Sequence, residues 1–399
     1  MNELPTGRTP VPNAQAATNG FALWNLGFRP FYLLATLFGA FSVLLWAAQF
    51  SGYLPNAYLQ GPVWHGHEMR FGYPPAVIAG FLLTAVRAWT NQPTPSGVAL
   101  MALAALWFGG RVLVLTPFPL AAAVVNAAFP VAVAVAIGIP LLRSRNVRNY
   151  FFIGLLVLLG ALILAVHLAL RQFFEISPRL GLQLALDVVL FIMVVMAGRV
   201  IPMFTNNGIP GTNAIRKTWV ERFALAAVIL LFVADLLQLP ASAIAFLALT
   251  GAIAHGVRLY LWKPWRTLAT PLVWILHAAY AWIVLHLALR GLIAVDLLAG
   301  SIATHALTVG AIGGLTLGMM TRTARGHTGR PLQADRFELA AFLLIQAAAV
   351  VRVFGGVASP GLYLVSVQLS AALWATALGL YAVRYWPVLT RPRLDGKPG

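Results

Sequence analysis

The chain has 399 residues, 60% of them hydrophobic and only 9% charged, with a mean hydropathy of +0.83. Soluble domains are about 45–50% apolar, so these values exclude a soluble globular protein and predict an all-α protein that crosses a bilayer many times. The net charge of +17 would suit a nucleic-acid partner, but its clustering in short loops argues for membrane topology and no nucleic acid. Zero cysteines exclude disulfides, Cys-ligated iron–sulfur clusters, covalent c-type haem and thiolate copper sites, leaving His, Met, Asp, Glu or backbone as metal ligands.

Residues 1–26 are polar and rich in Pro and Asn without an early apolar core, so no cleavable signal peptide is expected. Beyond them, apolar runs of about 20 residues recur, each long enough to cross a hydrocarbon core of about 30 Å as a helix. Twelve spans are predicted, near 30–50, 67–87, 97–115, 119–142, 150–170, 180–198, 220–238, 240–260, 271–289, 297–320, 337–354 and 361–385. They make one transmembrane domain over 27–386, between the N-terminal segment 1–26 and a tail at 387–399. Connections are too short to hold a soluble domain.

With the N-terminus in the cytoplasm, the inner loops collect Arg143, Arg145 and Arg148, then Arg199, Arg216, Lys217 and Arg222. Arg258, Lys263 and Arg266 follow, then Arg322, Arg325, Arg330 and Arg336, and the tail adds Arg384, Arg391, Arg393 and Lys397. Outer loops around 51–63, 239–241 and 355–361 carry no Lys or Arg. This is the positive-inside pattern, and it predicts an even helix count with both termini in the cytoplasm. The tryptophans suit an interfacial belt.

Spans two, six and ten carry His67, Asp187 and His305 at their outer ends, about 120 residues apart. Each runs inward to a turn-forming segment: Thr90-Asn91-Gln92-Pro93, Thr205-Asn206-Asn207-Gly208, or His327-Thr328-Gly329-Arg330-Pro331. His67 and Gly72 share the His-x4-Gly spacing of His305 and Gly310. Three four-helix pseudo-repeats are therefore one reading of the chain.

Ionisable groups inside a membrane are costly and mark functional candidates. The outer half holds His65, His67, His167, His286 and His305; His255 and His277 lie nearer the inner side. His277 and His286 are nine residues apart and point in opposite directions. Interhelical hydrogen bonds are the simpler reading for His255 and His277, and packing for Met319 and Met320. His67 and His305, at one depth on matched helices, are the expected pair of imidazole ligands for a non-covalent, b-type haem. Arg70, Arg111, Arg171, Arg290 and Arg352 sit at outer helix ends against the positive-inside trend. Glu68, Glu175, Asp187, Asp235 and Asp296 are available partners; Asp187 either orients a histidine through its second nitrogen or, the preferred reading, meets an outer arginine. Alternatively, Arg111 and Arg352 hold haem propionates. His65, His167 and His286 remain as spare imidazoles for a second metal, and copper accepts such ligands.

Several runs resemble the NnrS family of bacterial membrane proteins: Gly27-Phe28-Arg29-Pro30-Phe31, Trp64-His65-Gly66-His67-Glu68-Met69, Gly198-Arg199-Val200-Ile201-Pro202-Met203-Phe204, His305-Ala306-Leu307-Thr308-Val309-Gly310 and Arg325-Gly326-His327-Thr328-Gly329-Arg330. The resemblance spans nearly the whole chain. It implies a multi-pass inner-membrane protein that carries haem and copper and meets nitric oxide or a related small molecule, in nitrosative stress or denitrification. It leaves open redox turnover, sensing or protection, and the electron donor. A looser likeness is to the large subunits of haem–copper oxidases and nitric oxide reductases, with twelve helices and a low-spin haem between the second and tenth. Span six has no histidine here and span ten only one, so the oxidase binuclear centre has no ligand set. The competing reading is a twelve-helix secondary transporter without haem.

Overall fold

The computed structural model describes residues 20–53, 59, 61–173 and 177–397. Glu175 and most of the N-terminal segment lie outside them. Among the described residues the regular structure is helical throughout, in twelve long helices. These are α1 (Phe28–Phe50), α2 (Gly61–Thr90), α3 (Gly97–Leu113), α4 (Pro119–Arg143), α5 (Phe151–Leu170) and α6 (Pro178–Gly208). The second half comprises α7 (Thr218–Leu236), α8 (Ala241–Leu261), α9 (Pro271–Ala294), α10 (Ile302–His327), α11 (Arg336–Ala358) and α12 (Tyr363–Thr390). Ten are long and apolar enough to cross a membrane. The other two are α3, only 17 residues long, and α7, which carries Glu221, Arg222 and Asp235. The chain is a multi-pass membrane protein.

Local chemistry fixes the helix ends. Proline opens α4, α6 and α9, where a missing N–H costs nothing. Left-handed residues close several: Asn91 at φ 51°, Gln238 at φ 50° and Asp296 at φ 58°. One expected turn is helix instead. Thr205-Asn206-Asn207-Gly208 completes α6, because Thr205 Oγ1 bonds back to the Ile201 carbonyl at 2.8 Å. The Asn206 side chain meanwhile pairs with both backbone groups of Ala214, at 2.7 and 3.0 Å. Polar side chains satisfied this way need not end a helix. Arg199 and Arg322, read as loop residues from the sequence, belong to α6 and α10.

Consecutive helices pack against one another throughout, and α1 closes against α12. The Ala22 N–H donates to the Thr390 carbonyl at 2.7 Å, and Arg29 donates to the Leu389 and Arg391 carbonyls. Both ends of the bundle therefore lie on one side, the side of Arg143 and Arg148, called here the basic end. Helices α2, α6 and α10 run from the far end to this one. Large apolar side chains such as Val135, Phe223, Phe246 and Ile253 stay exposed on the outer helices, as lipid contact requires.

Two π-helical turns interrupt α2 and α10, at Glu68–Gly72 and Ala306–Gly313. The first has a clear cause. Pro74 and Pro75 have no N–H to give to the carbonyls of Arg70 and Phe71, so the α-helical ladder is broken there. Trp107 Nε1 donates to the Gly72 carbonyl at 2.9 Å beside the gap. The second turn is rich in small residues, which let Gly310 and Gly313 press against Trp282 and Trp374. Each π turn directly follows a histidine, His67 or His305. Such turns are frequent at functional sites.

Candidate functional site

Residues two apart on a helix point in nearly opposite directions, so His65 and His67 leave α2 on different sides. The structure accordingly does not bring His67 to His305. His65 faces His305, and His67 faces His167.

At the first pair the rings are nearly parallel, 15° apart, with 6.4 Å between centroids. Trp46 of α1 stacks behind His65 at 4.7 Å and 18°. His305 Nδ1 lies 2.8 Å from the Ser301 carbonyl. A carbonyl only accepts, so Nδ1 carries the proton and Nε2 keeps its lone pair. Both rings border a narrow cavity of about 50 Å³ that also meets Met69, Tyr73, Arg352 and Trp374. The Arg352 guanidinium lies 5.6 Å over the Tyr363 ring and has no acidic partner among the described residues.

The second pair is fully buried. His67 Nε2 and His167 Nε2 are 3.0 Å apart, with rings 75° to one another. His67 Nδ1 meets Glu68 Oε1 at 2.7 Å, and Glu68 Oε2 accepts from Arg111 at 2.7 Å. Arg111 donates its other nitrogen to Asn126, whose amide is fixed by the Gly110 and Ala122 carbonyls. With Glu68 ionised, His67 carries its proton on Nδ1, so His167 donates from Nε2 and its Nδ1 is left buried without a partner. Arg111 is thereby committed to Glu68 and does not line the His65–His305 cavity.

Asp187 meets Arg290 at 3.0 Å, and Arg290 also pairs with Asp235. The arginine partner expected for Asp187 is there, on α9. His286, one turn from Arg290, donates from Nδ1 to the Ala303 carbonyl at 2.8 Å, and its Nε2 is buried without a partner. It joins neither histidine pair. His255 and His277 make the interhelical hydrogen bonds expected of them, to Ala224 and Tyr280 and to Thr205. The sequence reading missed the buried Glu221–Arg258 pair beside them, bidentate at 2.9 and 2.6 Å and closed by Tyr280. Their spacing of 37 residues across two helices left no local signal.

No group of three or more His, Cys, Asp or Glu residues suited to a metal occurs among the described residues. The candidate sites are thus imidazole pairs. Two near-parallel imidazoles on α2 and α10, one locked by a carbonyl, define the class: a polytopic helical membrane protein with imidazoles paired between its helices. A family model described as NnrS protein matches residues 22–393, and the chain belongs to the NnrS family. No curated protein matches it.

Proposed function

We propose that the chain is a haem-binding membrane protein of the nitric oxide response, in which His65 and His305 would hold the haem. The carrying observation is their near-parallel rings, 6.4 Å apart across a cavity. Two imidazoles on separate helices can together hold a haem iron, and these two rings would supply that pair. Donor chemistry fits as well: Ser301 fixes the His305 tautomer as outer-shell carbonyls do for metal-bound histidines, and Arg352 supplies a cation for a propionate. A haem with two imidazole ligands supplies one-electron transfer. His65 is held in place by stacking on Trp46, His305 by its hydrogen bond, and the apolar wall of Trp374 and Met69 excludes water.

The copper expected of the family would be held by His67 and His167, with the His167 proton moved from Nε2 to its unpartnered Nδ1. Their Nε2 separation of 3.0 Å suits neighbouring ligands on one metal, since bonds of about 2.0–2.1 Å place such atoms roughly 2.9–3.4 Å apart. Glu68 orients the His67 ring toward that point. A second reading of the first pair follows from its small cavity, about 50 Å³, which suits a single metal ion until Met69, Tyr73 and Trp374 move apart.

Pyridine haemochrome spectroscopy with metal analysis of the purified chain decides between these. One haem per chain, lost in His65→Ala and His305→Ala but kept in His67→Ala, is the expected result. A His67→Ala or His167→Ala protein should lose copper only. Protein with copper and no Soret band would move the metal to the second reading. Colourless, metal-free protein would overturn both.

A further inference from the structure

At the basic end, where α2, α6 and α10 finish, lies a cavity of about 750 Å³. Arg148, Arg199 and Arg322 line it together with Asn149 and His327, and among the described residues no Asp or Glu does. Arg322 is only 8% exposed. Its guanidinium carbon sits 3.9 Å over the Phe204 ring, and it has no carboxylate or hydrogen-bond partner among the described residues. Arg199 donates to Asn149 at 2.7 Å and lies over the Phe151 and Phe152 rings.

A positive-inside bias accounts for arginines in loops, not for two guanidinium groups inside helices facing a shared cavity. A buried cation without a counter-charge is strongly unfavourable. Elsewhere in this chain Arg111, Arg258 and Arg290 each have a carboxylate, and fully buried Arg29 donates to the Leu389 and Arg391 carbonyls. Arg322 has none.

Sequence runs with no part in the histidine sites converge here. The Gly198–Phe204 run supplies Arg199 and Phe204, the Arg325–Arg330 run supplies His327, and Phe28 packs against His327 at 5.7 Å. We propose that this vestibule binds an oxyanion, gripped by the guanidinium forks of Arg322 and Arg199 with exposed Arg148 adding charge. Planar guanidinium forks match carboxylate and phosphate oxygens. A water-soluble phosphate compound and a phospholipid headgroup offer the same chemistry.

The test uses the full chain in neutral detergent, with inorganic pyrophosphate as probe in calorimetric titrations at low salt. Arg322→Gln or Arg199→Gln should weaken binding about tenfold or more, the usual loss for a charge-assisted hydrogen bond. Arg143→Gln, at an exposed arginine outside the cavity, should stay within about twofold by the weakness of surface charges. If Arg322→Gln fails to fold, Arg199→Gln and the charge-keeping Arg322→Lys carry the comparison. A second arm takes protein from phosphatidylglycerol nanodiscs into native mass spectrometry. Lipid retained by the parent chain and lost in Arg322→Gln, with no pyrophosphate binding, assigns the same site to a headgroup. Binding in neither arm, or equal weakening by Arg143→Gln, overturns the proposal. Haem absorbance should be the same in all these variants, which separates this site from the histidine pair.

Discussion

Glu68 is the most consequential single side chain at the far end of the bundle. One oxygen holds His67 and the other holds Arg111, both within 2.7 Å, in a region closed to water. Removing one partner of such a buried pair costs about 3–5 kcal/mol, because the other charge is stranded. Glu68→Gln should therefore lower the thermal unfolding midpoint in detergent markedly, and an unchanged midpoint would refute the pairing. Gly72 has a related constraint. A Cβ there would lie 2.6 Å from Phe38 and 2.7 Å from Arg111 Nη1, so Gly72→Ala should loosen the same network, read as an intermediate loss of stability. At this scale the sequence was legible as to residue type but not as to partner. His65 and His67 are adjacent in the text and opposed in space.

The π turn in α2 decides how those histidines are presented. Its cause, the Pro74–Pro75 doublet, can be removed. Pro74→Ala with Pro75→Ala restores two donors, and a regular α-helix would turn the His65–His67 segment by about 100° relative to the rest of α2. Loss of the Soret band with helicity retained is the expected outcome; an unaltered spectrum would show that the π turn does not set the ligand.

A second element-scale device ties α10, α11 and α12 together at the basic end. Asp335 caps α11 in a capping box with Glu338, and Arg384 of α12 binds its other oxygen at 2.7 and 2.9 Å. Partial burial pushes the Asp335 carboxyl up. Its hydrogen bonds to Arg384 and to the Glu338 backbone, with the Arg384 charge, outweigh that and hold it below the usual carboxylate range. A depressed carboxyl stabilises the fold above its unfolded value of about 3.9, and the contribution disappears as pH falls through the lower folded value. Stability should thus decline below about pH 4, with a shallower decline in Asp335→Asn, whose side chain still caps the helix. Identical acid profiles for the two proteins would exclude this cap as the cause.

At the scale of the molecule, an even number of helices returns the chain to the side where it began, and the Ala22–Thr390 contact seals it. The positive-inside rule predicts that this side faces the cytoplasm. Because the chain has no cysteine, single cysteines test this without background. Gln238→Cys at the far end should react with a membrane-impermeant maleimide in intact cells, and Arg143→Cys only after permeabilisation. The reverse pattern would invert the topology.

Some of this was settled by the sequence alone. Apolar runs of membrane-spanning length require helices, since no water is present to satisfy an exposed backbone, so all twelve helices were legible, ten of them long and apolar enough to cross a membrane, with ends displaced by up to ten residues at Gly208. Motif runs such as Trp64–Met69 and Arg325–Arg330 were enough to indicate the family. Partner choice was not. Which imidazole meets which depends on a rotation of about 100° per residue, and on a π turn that shifts that phase. Only packing fixes these. For the same reason, Arg199 and Arg322 read as topology in one dimension and as the wall of a shared cavity in three.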